Sequence, residues 1–119
     1  MLIEDDRSVR EALGGVLRLE QFNVIFAASA EEALREFLRN RIDAVLLDLN
    51  LGQTDGWETF EALVELVPSL PILVMSGETE RLHSHTSSHT AAALMAKPID
   101  ISFLVGKLRD ITESAPSAA

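Results

Sequence analysis

Acidic side chains and one lysine stand at the ends of short apolar runs in this chain. Asp48 ends one such run, Glu4 and Asp5 follow the apolar residues at the start of the chain, and Lys97 follows a third run. Apolar runs of this length are typical of buried strands. If the three runs lie side by side and parallel, three carboxylates and one ammonium meet at one edge of a sheet. Such a cluster favours a divalent cation and a phosphoryl group.

Strand and helix patterns alternate through the chain and would position these groups. The predicted helices place apolar residues three and four positions apart, whereas the predicted strands are short apolar runs. We predict strands over residues 2–3, 24–27, 44–47, 72–75 and 92–96, helices over residues 9–17, 30–38, 57–67 and 101–111, and a short exposed helix within residues 78–91. Five strand-then-helix units indicate an α/β fold whose parallel sheet is covered on both faces.

The predicted architecture is a flavodoxin-like (βα)5 three-layer sandwich with strand order 2-1-3-4-5. Right-handed crossovers leave few other topologies. This order puts the first and third strands side by side, and ligands of such sheets bind beyond the carboxyl ends of the strands where the chain reverses direction. Glu4, Asp5 and Asp48 are where this rule puts a ligand.

Local signals support the element boundaries. Residues 49–56 are rich in turn formers and predict a loop. Gly14 and Gly15 lie inside the first helix, and each weakens it by about 1 kcal/mol relative to alanine. Candidate cap residues precede three of the helices: Asp6, Ser29 with Glu32 as a capping box, and Asp100.

The composition bounds the class of protein. With 119 residues the chain predicts a single domain over 1–113, followed by a small polar tail or linker remnant over 114–119. The net charge of −9 disfavours direct binding to nucleic acid. No cysteine is present, no apolar run reaches the ~18 residues needed to span a bilayer, and no signal peptide opens the chain. We expect a cytoplasmic protein that does not bind a membrane.

Two further residue types were weighed as ligand sites. His83, His85 and His89 have spacings that could converge on a metal, but serines and threonines surround them and no predicted strand positions them. We interpret these histidines as solvated. Trp57 begins the third helix and is expected to pack against the sheet rather than bind a ligand.

The acidic cluster suits phosphoryl transfer on chemical grounds. Crowded carboxylates repel one another, and a hard cation with oxygen ligands, Mg²⁺ above all, relieves that repulsion. A carboxylate can also act as a nucleophile and form an acyl phosphate. The ammonium of Lys97 and the hydroxyl of Ser76 would then bind phosphoryl oxygens, while Gly77 leaves room and offers an N–H.

With these residues in place, the chain resembles the receiver domain of response regulators in two-component signal transduction. The resemblance runs from Leu2 to about Ile111. The residues that carry it are Glu4, Asp5, Asp6, Arg10, Asp48, Asn50, Asp55, Gly56, Ser76, Gly77, Lys97 and Pro98.

The resemblance implies specific roles. Asp48 would be the phosphoacceptor, and Asp5 and Asp48 would supply carboxylate ligands to Mg²⁺. Asn50 would supply its backbone carbonyl, and Glu4 would act largely through a water.

The resemblance also implies the phosphoryl contacts and the partner. Ser76 and Lys97 would contact the phosphoryl group, and the peptide bond between Lys97 and Pro98 would be cis. The phosphoryl donor would be a histidine kinase or a histidine phosphotransfer protein, and the downstream effector is left unknown.

Several positions differ from the usual family pattern or tune it. The first strand is short compared with that of most receivers, which carry a few residues before the position of Leu2. Gly52 stands where the loop after Asp48 usually has a proline. Leu94 stands where the family often has a switch Phe or Tyr, so we expect phosphorylation to reshape the neighbouring face only weakly. Asn50 and Glu78 occupy the two variable positions that tune the chemistry, and this pair is similar to that of the chemotaxis regulator.

Other functions remain open at this stage. A degenerate receiver that acts only as a docking module is one, and an Mg²⁺-dependent phosphohydrolase with an aspartyl nucleophile is another, although Asn50 replaces the acid such hydrolases need. We expect no turnover of an external substrate. Within the leading function, a stand-alone regulator, a relay intermediate and a piece of a hybrid sensor kinase all fit.

The pair Asn50 and Glu78 predicts a short-lived phosphoryl aspartate, because short polar groups leave space for an attacking water. We expect the phosphoryl group to be short-lived in purified protein with Mg²⁺. Intact mass spectrometry over time measures this loss. A lifetime of many hours would contradict the prediction.

Overall fold

A five-stranded parallel sheet forms the centre of the protein. The computed structural model describes residues 1–51, 54–77 and 91–114. The strands are β1 (Leu2–Ile3), β2 (Phe26–Ala27), β3 (Val45–Asp48), β4 (Ile72–Ser76) and β5 (Ala93–Ala96). Their order is β2-β1-β3-β4-β5, and every neighbouring pair is parallel. The predicted order 2-1-3-4-5 is therefore confirmed.

Within the described residues, four helices cover the two faces of this sheet. They are α1 (Arg7–Leu19), α2 (Ala30–Arg39), α3 (Gly56–Leu66) and α4 (Ile101–Ser114). One core holds the side chains of α2 and α3, with Phe60 and Leu63 among the most buried. The other core holds those of α1 and α4, with Leu17 and Leu104 at its centre. Each large side chain buried in this way contributes about 1.5–3 kcal/mol of hydrophobic free energy.

The predicted helix caps are confirmed. Asp6 Oδ1 accepts hydrogen bonds from the N–H groups of Ser8 and Val9, at 2.9 and 3.2 Å. Asp100 caps α4 in the same way, since its Oδ1 accepts from the N–H of Phe103 at 3.1 Å. These contacts satisfy helix N–H groups that would otherwise lack a partner.

The capping box at α2 is confirmed with one difference. Ser29 Oγ accepts from the N–H of Glu32 at 3.2 Å. The Glu32 carboxylate accepts from the N–H of Ala28 at 2.7 Å, one residue earlier than the usual reciprocal bond.

Some boundaries differ from the predicted ones. The predicted loop 49–56 contains a two-stranded antiparallel ribbon, in which Asn50–Leu51 pairs with Thr54–Asp55. β2 is shorter than predicted, and β3 extends one residue further so that Asp48 is its last residue. The helix predicted within residues 78–91, with its three histidines, lies almost wholly outside the described residues.

The apolar face of α1 is buried only from Leu13 onward. Val9 is 40% exposed, although the spacing predicts it to face inward. A right-handed crossover starts each helix at the carboxyl edge of the sheet, so the first turn of α1 lies at the rim, where less of the sheet covers it. Trp57 is buried in the core between α3 and the sheet, as predicted. It also lies edge-on against Phe60, with 5.3 Å between the ring centroids.

The close approach of α1 to β2 accounts for Gly14. A Cβ placed on Gly14 would overlap the ring of Phe26, whereas one placed on Gly15 would meet nothing within 4 Å. The Arg18 guanidinium lies over the Phe26 ring, 4.6 Å from its centroid. A movement of the ring to make room would therefore disturb this cation–π contact.

These two glycines give a matched pair of stability variants. We expect Gly15→Ala to raise the free energy of unfolding by up to about 1 kcal/mol, because it removes a helix-weakening glycine. We expect Gly14→Ala to lower it by about 1 to 2 kcal/mol, because overpacking outweighs the same gain. Urea unfolding followed by circular dichroism measures both. Equal effects of the two variants would contradict the steric account of Gly14.

Candidate functional site

The sheet delivers three groups to its carboxyl edge through adjacent strands. Ile3 of β1 pairs with Leu47 of β3, so Glu4 and Asp48 follow directly at the same level. On the other side, β4 runs between β3 and β5, and Ser76 of β4 pairs with Ala96 of β5. Because parallel strands end at one edge, the residues at the carboxyl ends of β1, β3 and β5 converge there. This is where α/β sheets bind ligands.

The carboxylate of Asp48 lies at the centre of this edge and is almost fully buried. Lys97 Nζ donates a hydrogen bond to Asp48 Oδ2 at 2.8 Å. The backbone N–H of Asn50 donates to Asp48 Oδ1 at 2.9 Å. Each oxygen of the buried carboxylate therefore has a donor, which is what a charge in this environment requires.

The backbone of Lys97 is fixed by β4. Its N–H donates to the carbonyl of Ser76 at 2.9 Å, one step beyond the last ladder pair. The peptide bond between Lys97 and Pro98 is cis, as the resemblance implied. The lysine side chain is partly exposed, so its ammonium reaches the carboxylate from the solvent side.

Glu4 is the second buried acid of the site. Its Oε1 accepts from the N–H of Asp6 at 3.3 Å, and its carbonyl accepts from Arg10 Nη1 at 3.0 Å. Its Oε2 is buried and has no hydrogen-bond donor among the residues that the structure describes. A carboxylate oxygen in this position calls for a proton or a cation.

The pKa values of the two acids move in opposite directions. Burial, reinforced by the hydrogen bond and charge of Asp48, raises the pKa of Glu4 to about 8. Burial also opposes ionisation of Asp48, but hydrogen bonds from Glu4, Lys97 and the Asn50 N–H outweigh it and hold the pKa of Asp48 below its usual value. Without a cation these opposite shifts favour a proton on Glu4 beside the ionised Asp48.

Asp5 does not join this buried group. It lies at the same edge but is exposed, and across residues 1–51, 54–77 and 91–114 no three acidic or imidazole side chains form a ready metal cluster. The structure therefore brings together Glu4, Asp48 and Lys97, and leaves Asp5 in water beside them. An exposed carboxylate keeps its hydration, whereas a third buried one would add repulsion.

The remaining predicted residues lie around this centre. Ser76 is fully buried at the end of β4 and Gly77 is exposed just after it. The side-chain amide of Asn50 lies close to Gly77, with its nitrogen 3.9 Å from a Cβ placed there. Leu94, opposite Val74 in the sheet, is 47% exposed. Glu78 lies outside the described residues.

Sequence reasoning missed the part played by Arg10. The residue was recognised as part of the family pattern but received no role. Its guanidinium holds the carbonyl of Glu4 and so fixes the turn between β1 and α1. The available signal was the position of Arg10. It lies about one turn into the helix that begins at Arg7, so its side chain can reach back to the residues before the helix.

The donor set fits a divalent cation with oxygen ligands. Glu4 Oε2 is buried without a donor, Asp48 is ionised, and Asp5 is an adjacent carboxylate with free access to solvent. Magnesium prefers oxygen donors and uses only one or two carboxylates, keeping waters on its other positions. No thiolate is available in a chain without cysteine.

Comparison with known proteins agrees with this geometry. The model of the family described as the response regulator receiver domain matches residues 1–109. The transcriptional regulatory protein PrrA of Mycobacterium tuberculosis is 30% identical over 121 residues, covering 100% of this chain and 52% of PrrA.

Two solved structures share the fold. A sensor protein from Polaromonas sp. JS666 has a TM-score of 0.84 and 27% identity, covering 94% of this chain and 93% of that one. A response regulator from Chloroflexus aurantiacus has a TM-score of 0.80 and 31% identity, covering 94% of each chain.

The chain spans only part of the curated relatives that it matches, for example 27% of the transcriptional regulatory protein GlrR of Escherichia coli and 52% of PrrA. No described helix is long and apolar enough to cross a membrane. The family match covers nearly the whole sheet-and-helix unit, from β1 into α4. The chain belongs to the response regulator receiver domain family.

Proposed function

We propose that this receiver accepts a phosphoryl group on Asp48 from the phosphohistidine of a sensor histidine kinase or a histidine phosphotransfer protein. The observation that carries the proposal is the buried Asp48 carboxylate held between Lys97 Nζ and the Asn50 N–H. A buried carboxylate that stays ionised, with a cationic group 2.8 Å away, is prepared to act as a nucleophile.

In the proposed step, a carboxylate oxygen of Asp48 forms a bond to phosphorus while the bond from phosphorus to the donor nitrogen breaks. The electron pair of the broken bond stays with the imidazole of the donor, and the product is an acyl phosphate. Asp48 loses its own charge and gains that of the phosphoryl group, so the local charge becomes more negative.

Two side chains would compensate that charge. The Lys97 ammonium, which neutralises Asp48 before the reaction, can move its hydrogen bond to a phosphoryl oxygen as a flexible point charge. Ser76 is the last residue of β4, and its hydroxyl would bind a second phosphoryl oxygen. Gly77, beside the Asn50 amide, presents no side chain that would block the phosphoryl group.

Magnesium would be held by Asp5, Asp48 and the Asn50 carbonyl, with Glu4 acting largely through a water, and when bound it neutralises charge on the phosphoryl oxygens. Glu4 is kept next to Asp48 by the Asp6 N–H and by Arg10 on its carbonyl. Its Oε2, buried without a donor among the described residues, supports a role for Glu4 next to a bound cation.

The output of the domain is a change of binding partner rather than turnover of an external substrate. We propose that residues 1–113 form the receiver and 114–119 a tail or linker remnant, and that the domain acts in the cytoplasm, where its kinase would find ATP. The net charge of −9 disfavours contact of this domain with nucleic acid. The comparisons give no support to a phosphohydrolase or to a receiver used only for docking.

Phosphorylation of Asp48 is directly testable. We expect incubation with Mg²⁺ and acetyl phosphate to add the mass of one phosphoryl group, and we expect Asp48→Asn to abolish the addition, because an amide is not a nucleophile here. Intact mass spectrometry is the measurement. Asp43→Asn is the matched control, since that exposed aspartate forms an ion pair with Arg41 away from the Asp48 contacts, and it should be phosphorylated like the parent. Phosphorylation of the Asp48 variant would contradict the assignment.

Glu4 gives the metal-free protein a characteristic pH dependence. The folded protein binds the Glu4 proton more tightly than the unfolded chain, whose glutamate titrates near 4.5. This stabilisation is complete below about pH 4.5 and is lost as the pH rises through about 8. The lowered pKa of Asp48 acts in a more acidic range, because its stabilising effect is already present well above pH 3.8.

We therefore expect Glu4→Gln to become more stable relative to the parent protein as the pH rises from about 5 to about 8, by about 1 to 3 kcal/mol. Urea unfolding in the presence of a chelator measures the difference. Burial, opposed by the charge of Asp43, lowers the pKa of the Met1 ammonium to about 6. That group acts with the opposite sign, but equally in both proteins. A difference that does not change with pH would contradict the raised pKa of Glu4.

A further inference from the structure

Gly56 ends the ribbon that follows Asp48 and begins α3. Its N–H donates to the carbonyl of Leu49 at 3.2 Å, which continues the ladder in which Asn50 pairs with Asp55. The chain therefore leaves the site after Asp48, turns, and returns to hydrogen-bond the residue next to Asp48. Gly56 is also one of the residues that carry the family resemblance.

No side chain fits at this return point. A Cβ placed on Gly56 would overlap the backbone of Leu49 and approach its carbonyl carbon to 2.7 Å. The obstacle is main chain rather than the end of a flexible side chain, so it cannot rotate away. Leu49 cannot retreat either, because it is buried and its N–H donates to the carbonyl of Met75 on β4 at 2.9 Å.

The peptide group held by Gly56 is the one that contacts Asp48. The carbonyl of Leu49 and the N–H of Asn50 belong to a single planar peptide unit. Gly56 binds the carbonyl end of that unit, and the N–H end donates to Asp48 Oδ1 at 2.9 Å. Tilting the plane to make room at one end moves the donor at the other end.

We infer that Gly56 is a positioning residue, whose missing side chain sets the plane of the Leu49–Asn50 peptide and through it the orientation of the Asp48 carboxylate. Each oxygen of Asp48 then has its own donor. Oδ1 accepts from the Asn50 N–H and Oδ2 accepts from Lys97 Nζ. Loss of the first contact frees the carboxylate to rotate on its own axis. The inference rests on the proposed function, because it matters for phosphorylation only if Asp48 is the acceptor.

Two variants test the inference by different routes. Gly56→Ala introduces the side chain that the site cannot accommodate. Insertion of one glycine between Gly52 and Gln53 instead shifts Thr54–Asp55 relative to Asn50–Leu51 without adding a side chain. Lengthening a connection by one residue costs little free energy. The insertion therefore keeps the test valid if Gly56→Ala does not fold.

The control variants separate positioning from general loss of stability. Gly14→Ala overlaps the ring of Phe26 on β2 rather than the backbone next to Asp48, and it is expected to destabilise the protein by a comparable mechanism. Gly15→Ala meets nothing and serves as the neutral control. Urea unfolding of all variants establishes which of them are folded and how stable they are.

Two measurements are made on each variant. The first compares the ¹⁵N–¹H chemical shift and the hydrogen-exchange rate of the Asn50 amide with those of the parent protein, which reports the hydrogen bond to Asp48 whether or not the protein is phosphorylated. The second is the rate of phosphorylation by acetyl phosphate with Mg²⁺, from intact mass. In Gly56→Ala and in the insertion variant we expect the Asn50 amide to shift and to exchange faster than in the parent, and the rate of phosphorylation to fall on the order of 10- to 100-fold.

In the control variants, the Asn50 amide and the rate of phosphorylation should both remain as in the parent protein. An unchanged Asn50 amide in the folded Gly56→Ala or insertion variant overturns the inference, as does an equal loss of rate in Gly14→Ala. If the parent protein itself is not phosphorylated, the proposed function fails, and the functional part of the inference fails with it. The amide measurement would still show whether Gly56 sets the peptide plane.

Discussion

Holding a charged carboxylate inside the edge of a sheet is the constraint on which the rest of this structure depends. An ionised acid removed from water is costly unless each of its oxygens meets a donor. Asp48 meets that condition with one ammonium and one peptide N–H, delivered by β5 and by the residue after Leu49. Strand order, the ribbon and the placement of Lys97 can all be understood as means of bringing those two donors to one point.

Much of this arrangement could be predicted from the sequence because it depends on patterns of short range. The apolar runs, the caps at Asp6, Ser29 and Asp100, and the acid or lysine at each strand end are readable residue by residue. The strand order followed from counting βα units and from general rules of handedness. The relation between Asp48 and Lys97, 49 residues apart, then required no further information.

What could not be predicted depends on distances between atoms that are remote in sequence. Gly14 was visible as a weak point in a helix, but the Phe26 ring that requires it is on another element. The ribbon was predicted as a plain loop, because two-residue strands carry no periodic signal. The different burial of Glu4 and Asp5, which are both acidic residues and adjacent in sequence, is likewise a property of the folded edge.

The proton kept by Glu4 has a thermodynamic consequence for ion binding. With a pKa of about 8, this acid is largely neutral at physiological pH, so an ion that requires its ionised form has to displace hydrogen. Association with a divalent ion that needs the ionised form would then be an exchange reaction, in which up to one H⁺ is released for each ion bound. The apparent affinity would consequently increase towards alkaline solution, and the heat of binding would depend on the ionisation enthalpy of the buffer.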